Sequence, residues 1–381
     1  MPTAFINGRV LTDAGMEEGL VVLIEGDRIK VVTRRSEVRL DGAEVIDLDG
    51  KLLLPGFIDT QVNGGGGVLF NGKPTVDTIA EIGRVHRQFG TTGFLPSLVS
   101  DDLDVVAEAI AATREAIAAG VPGVLGLHIE GPFLNEARRG VHDASKIRHL
   151  DADAFRLLTT PTGGRTLITL APEKTTPQMI RALTEAGVIV SAGHSDATYA
   201  QVREALNYGL TGFTHLFNAM SQLTVREPGV VGAALDDDES WCSIIVDGYH
   251  VDPVVLRLAL RLKRQDRFML VTDAMPSVGA ASKSFSLLGR RITVRDGICV
   301  DEDGTLAGSD IDMATAVRNT IRLLRVDLAE AVRMASTYPA AFLRLSNGHG
   351  KVSARYRADF ALADDELNVI RTWVGGVEQD C

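Results

Sequence analysis

Aromatic residues are scarce in this chain of 381 residues, at 5%, so Val, Leu, Ile and Ala must do most of the packing within a hydrophobic content of 45%. Cysteine is nearly absent too. Cys242, Cys299 and Cys381 are scattered and odd in number, which argues against a disulfide framework. Positive charge is in deficit. A net charge of −11 argues against nucleic acid or an anionic membrane as a general partner, and an anionic ligand would have to be met by local cations. No apolar run approaches membrane-spanning length, and the N-terminus lacks a basic stretch followed by an apolar core. A soluble cytoplasmic protein is expected.

The middle of the chain alternates. Strand candidates end near Gln61, Ser97, Glu130, Leu170, His194, His215, Asp247 and Asp273, and between several of them lie segments rich in Ala, Leu, Glu and Arg. Val105 to Ala119 and Pro177 to Ala186 read as helices, the second opening on Thr176-Pro177 in cap and first-turn positions. Eight strands alternating with helices is the count for a closed (β/α)8 TIM-type barrel, whose active site lies at the C-terminal strand ends. After Asp273 a hairpin-like insert, Phe285–Leu288 and Arg291–Val294, interrupts the pattern before helices from about Asp312 to Arg344. Gly64-Gly65-Gly66-Gly67 has no GK[ST] after it, and reads as a flexible loop near the rim. Both ends of the chain are β-like, and neither alone makes a good core. A small β-sandwich from residues 1–54 and 349–381 is expected beside a catalytic barrel over residues 55–348.

Four of the strand ends carry residues able to hold and work a metal. Val124–Ile129 stops at Glu130, Val188–Gly193 at His194, Gly212–Thr214 at His215 and Phe268–Thr272 at Asp273. One carboxylate and two imidazoles form a catalytic zinc-type set with room left for water, and a further carboxylate can move protons. This pattern points to metal-assisted hydrolysis. Singly, each residue has a plainer reading: Glu130 before Gly131-Pro132 could cap a loop, and a lone strand-end His is more often a hydrogen-bonding residue than a ligand. Asp273 could equally be another ligand or a salt-bridge partner.

Five ordered motifs, Pro55–Asp59, His128–Phe133, Gly193–Ser195, Thr214–Met220 and Val271–Ala274, resemble those of the N-acetylglucosamine-6-phosphate deacetylase family within the amidohydrolase superfamily. The resemblance spans nearly the whole chain. It implies Glu130, His194 and His215 as ligands of one divalent metal per subunit, zinc before iron, cobalt or manganese. Gln61-Val62-Asn63 stands where many amidohydrolases carry His-x-His, which leaves Gln61 a weak second-site contact at most. Asp273 is implied as general base and then acid, and His142 as the group that polarises the amide carbonyl. Val141, Asn218, Ala219, Arg226, His250, Leu306, Ala307 and Gly308 match substrate-contacting positions.

The implied activity is hydrolysis of N-acetylglucosamine 6-phosphate to glucosamine 6-phosphate and acetate, by a homodimer in which Arg226 reaches the neighbouring subunit's site. Taken alone, His142 reads as a surface-loop residue and Arg226 as a salt-bridge partner of Glu227. A different N-acetyl amino sugar phosphate, an N-acyl amino acid, or a non-catalytic barrel used for binding remain as alternatives.

Overall fold

The short β-branched runs of the middle segment become eight parallel strands in the computed structural model, which describes residues 1–379. They are β1 (Phe57–Val62), β2 (Thr91–Val99), β3 (Gly126–Glu130), β4 (Arg165–Leu170), β5 (Ile189–Ala192), β6 (Gly212–Phe213), β7 (Trp241–Ile244) and β8 (Phe268–Leu270). Each pairs with the next in chain order. The Asp273 N–H donates to the Gln61 carbonyl at 3.0 Å, and Val62 bridges Ala274, so the eighth strand meets the first and the sheet closes as a barrel.

Helices cover the outside because their apolar residues recur on one stripe. Val76–Arg87 buries Ile79, Ile82 and Val85, and Leu103–Ala118 buries Val106, Ala109, Ile110 and Ala116. Pro177–Glu185 is capped by Thr176, whose side chain accepts from the Met179 N–H. Near the strand starts, Ile58, Leu95, Leu167, Ile189 and Met269 pack with Ala340, Phe342 and Leu343 into a plug that shuts that end of the barrel.

The two chain ends build sheets together. Leu52–Pro55 pairs on one side with Arg9–Thr12 and on the other, antiparallel, with Phe360–Ala363, inside a six-stranded sheet. A four-stranded sheet of Thr3–Ile6, Leu20–Glu25, Arg28–Arg34 and Glu44–Asp47 faces it across a cluster of Phe5, Val22, Leu53, Phe360 and Trp373. The insert after β8 has four strands rather than a single hairpin.

Gly64–Gly67 is not a loose loop. Gly64-Gly65 pairs with Val68-Leu69, the Gly64 carbonyl lies 2.9 Å from the buried His86 Nε2, and a Cβ on Gly64 would meet the Val68 carbonyl oxygen at 2.4 Å. Gly64, Gly65 and Gly66 are there for close packing and Gly67 for its left-handed backbone, which a run of four glycines alone does not reveal. Cys242 and Cys299 are free and buried, and Cys381 lies outside the described residues. Among the described residues, no helix is long and apolar enough to cross a membrane.

Candidate active site

The C-terminal ends of the strands deliver polar side chains to one rim. Glu130 is the last residue of β3, His194 and His215 follow β5 and β6 by two residues, and Asp273 follows β8 by three. His194, His215 and Asp273 have left-handed backbones, with φ of 50°, 35° and 52°. Such a conformation in a residue with a side chain costs roughly 1–3 kcal/mol each, and it turns the chain sharply at the rim.

Glu130 Oε1 lies 2.9 Å from His215 Nε2 and 3.2 Å from His194 Nε2, and the two Nε2 atoms are 3.1 Å apart. His194 Nδ1 sits 2.9 Å from the Arg138 carbonyl. A carbonyl only accepts, so Nδ1 carries a hydrogen, and in the neutral form of the ring Nε2 turns a bare lone pair into the cluster. Three lone-pair donors, all within 4.8 Å of one another and buried, repel unless a positive centre sits among them. A proton relieves one pair, whereas a divalent cation relieves all three. The donor set therefore fits a metal. Burial works against ionisation of Glu130, yet its contacts with His194 and His215, through a shared hydrogen or a shared cation, hold its carboxyl well below the usual range.

Asp273 Oδ1 accepts from Asn63 Nδ2 at 2.7 Å and from Gln61 Nε2 at 3.1 Å, and Gln61 Nε2 also reaches Glu130 Oε2 at 3.1 Å. Gln61 thus bridges the two carboxylates as a donor and does not line the cavity. Burial, reinforced by the Glu130 charge, pushes Asp273 up to about 6. Asn63 was missed by the sequence reading, although its place two residues after Gln61, on the same strand face, was a usable signal.

His142 is buried, not a surface-loop residue. Its Nδ1 accepts from the Ser100 N–H at 3.3 Å and lies 2.7 Å from Ser100 Oγ, which leaves the hydrogen on Nε2. Burial and the neighbouring His194 lower its pKa to about 3, so the ring is a neutral donor at physiological pH.

These groups share a cavity of about 350 Å³ that Val141, Asn218, Ala219, His250, Leu306 and Gly308 also line. Asn218 spends its Nδ2 on the His215 carbonyl at 3.0 Å, which leaves Oδ1 free of that bond. Ala307 packs instead into the cluster beneath the insert, with Met275, Leu287 and Ile292. Arg226 does not line this cavity. Glu227 accepts instead from the N–H groups of Tyr199 and Gly229. Arg138, Ile245, Met275 and Thr305 line the cavity as well, Arg138 and Thr305 from loops whose course no periodic pattern records.

Under the rim runs a polar layer. Ser97 Oγ lies 3.0 Å from His128 Nδ1, His128 Nε2 2.8 Å from Thr169 Oγ1, and Thr169 Oγ1 2.7 Å from Thr214 Oγ1, which donates to Ser191 Oγ at 2.8 Å. Ser243 Oγ accepts the His215 N–H at 2.7 Å. Side chains on or next to β2 to β6 thus hold one another beneath Glu130, His194 and His215, and Ser243 on β7 holds the His215 backbone.

The chain matches the amidohydrolase family over residues 52–378. It is 44% identical over 325 residues to an N-acetylgalactosamine-6-phosphate deacetylase of Shewanella sp. (strain ANA-3), covering 85% of this chain and 82% of that protein. It is 36% identical over 379 residues to an N-acetylglucosamine-6-phosphate deacetylase of Haemophilus influenzae, covering 99% of each. The crystal structure of the N-acetylglucosamine-6-phosphate deacetylase from Pasteurella multocida superposes over 100% of both chains with a TM-score of 0.96 at 36% identity.

Proposed function

We infer the function from one premise: the chain belongs to the amidohydrolase family. We propose that it hydrolyses the acetamide of N-acetylglucosamine 6-phosphate to glucosamine 6-phosphate and acetate. The observation that carries this reading is the meeting of Glu130, His194 and His215 with Asp273 and a neutral His142 in one cavity. Relatives named for this activity align over most of the chain.

Glu130, His194 and His215 would hold one divalent ion, zinc in our reading. When bound, it supplies Lewis acidity, polarising the amide carbonyl and acidifying water. Asn63 and Gln61 fix Asp273 Oδ1, and Oδ2 makes no hydrogen bond among the described residues, which leaves it for the reaction. Asp273 takes a proton as the water oxygen adds to the carbonyl carbon. It returns that proton to the sugar nitrogen as the C–N bond breaks. His142 donates its Nε2 hydrogen to the carbonyl oxygen as negative charge builds there. Gln61 stays a hydrogen-bond donor in this scheme rather than a second-metal ligand. Asn218, Ala219, Leu306 and Gly308 hold the sugar.

The reading includes a cytoplasmic homodimer, with residues 1–54 and 349–381 as one unit and 55–348 as the catalytic barrel. Arg226 directly follows the exposed Val225, with the exposed Leu223 two residues before that. The helix Pro253–Leu262 exposes Val254, Leu258 and Leu262 at one spacing. This apolar surface supports a partner copy, towards whose site Arg226 would point.

A second reading, deacetylation of the galactosamine epimer, is favoured by the Shewanella relative at 44% identity. Acetate release from both 6-phosphates and from unphosphorylated N-acetylglucosamine, with metal content measured on the same sample, tests the pair. Release from the glucosamine form, lost on chelation and restored by metal, supports the first reading. A strong preference for the galactosamine form replaces it with the second. Bound metal with no sugar hydrolysed sends the search to other N-acyl compounds.

A further inference from the structure

Asp247 and His250 stand at the two ends of a turn that follows β7, with Gly248 at φ 86° between them. Asp247 Oδ1 accepts from the backbone N–H groups of Tyr249 and His250 at 2.8 and 2.9 Å, and Oδ2 lies 2.6 Å from His250 Nδ1. Both side chains are only 6% exposed, yet His250 lines the cavity. Burial opposes ionisation of Asp247, but the hydrogen bond from His250 and those from the turn's N–H groups hold its carboxyl below the usual range.

An ionised carboxylate only accepts, so Nδ1 must carry a hydrogen. Nε2 is then the ring nitrogen left for a ligand, and it makes no hydrogen bond among the described residues. A sugar hydroxyl at Nε2 would need no buried carboxylate behind the ring. A phosphate is different. It has no hydrogen to give as a dianion, so Nε2 must donate, and the ring then carries hydrogens on both nitrogens between two anions.

We propose that Asp247 is a positioning residue that commits His250 Nδ1, so that Nε2 meets the 6-phosphate as an imidazolium and the pair selects phosphorylated over unphosphorylated amino sugars. This rests on the phosphorylated-sugar reading above. It assigns the selection to one buried pair inside the subunit, in addition to the arginine expected from a partner.

Asp247→Asn keeps an oxygen for the turn but turns an amide donor towards Nδ1. The expected result is a KM for N-acetylglucosamine 6-phosphate raised about tenfold, as one charge-assisted hydrogen bond is weakened, with kcat held. The efficiency on unphosphorylated N-acetylglucosamine should stay where it was. His250→Gln should raise that KM at least as far, and the double variant should be no worse than His250→Gln alone, because Asp247 acts through that ring. Additive losses, equal losses on both sugars, or a fall in kcat at constant KM would overturn the proposal.

NMR of the histidine rings in the metal-loaded wild type, titrated with inorganic phosphate, judges the pair without turnover or any variant. The expected spectrum shows His250 with hydrogen on Nδ1 before phosphate and on both nitrogens after it. A ring with hydrogen on Nε2 alone, or one that phosphate leaves unmoved, overturns the proposal even if the sugar is hydrolysed. If neither sugar is hydrolysed but the ring responds as expected, the substrate reading fails and the anion-binding pair stands.

Discussion

Near the strand starts, Ile58, Leu95, Leu167, Ile189 and Met269 close over Phe342 and Leu343 in an apolar plug with ordinary extended backbone. At the strand ends, His194, His215 and Asp273 turn through left-handed backbone to bring charge and lone pairs together with Glu130. One end gains free energy from burial. The other spends some of it on strain and on desolvating ionisable groups. Between them lies the polar layer of Ser97, His128, Thr169, Thr214 and Ser191, which belongs to both. The barrel therefore separates the apolar residues that keep it folded from the ionisable ones gathered at the rim, and it joins them through a set of hydroxyls and one imidazole. Four changes probe that separation.

The largest effect should come at the rim. Asp273→Asn keeps an acceptor for Asn63, so the variant should fold and bind metal normally while turnover falls by about 10²–10⁴. A rate near that of the wild type, in steady-state assays, would take Asp273 out of proton transfer.

At the opposite end, Phe342→Ala should cost about 3–5 kcal/mol of stability in denaturant titrations, by emptying the plug, and leave kcat per folded molecule unchanged. A parallel loss of kcat would show that the plug sets the rim after all.

Asp59, on β1, tests the region between. Its Oδ2 accepts from Thr272 Oγ1 at 2.5 Å, and burial is the main cause that pushes it up to about 7 from a usual carboxylate value of 3.8. The folded state then holds the proton more tightly than the unfolded chain, so stability should fall as pH rises from about 4 to about 7, by at most a few kcal/mol. Asp59→Asn should flatten that slope, and an unchanged slope would place the titration elsewhere.

The smallest effect is expected in the polar layer. Thr214→Val removes bonds to Thr169 and Ser191, costing about 1–3 kcal/mol. Because His215 is the next residue, metal affinity should weaken as well. Lost stability with unaltered metal affinity would make the layer purely structural.

Much of this was legible in the sequence, for a physical reason. Strands buried on both faces read as short apolar runs, and the first ionisable residue after such a run lies at the rim. Glu130, His194, His215 and Asp273 were visible in this way. So were the ends of the helices Leu103–Ala118 and Pro177–Glu185, to within two residues. The burial of His142 was not visible, because it depends on Ser100, 42 positions away. The packing of Gly64–Gly67 against His86 and the place of Arg138 in the cavity are likewise properties of loops, whose course no periodicity records. The assignment of His142 and His250 came from family resemblance and not from their local sequence.

The pairing of Leu52–Pro55 with Phe360–Ala363 sets an order on biosynthesis. The earlier strand leaves the ribosome some 300 residues before its partner, a wait of roughly 15–60 s at about 5–20 residues per second. Throughout that interval Leu53 and Phe5 lack the Phe360 and Trp373 side chains that cover them in the finished protein. The six-stranded sheet is thus completed only after all the barrel strands have been made, whereas the four-stranded sheet of residues 3–47 can pair at once and leaves its inner face uncovered for that time.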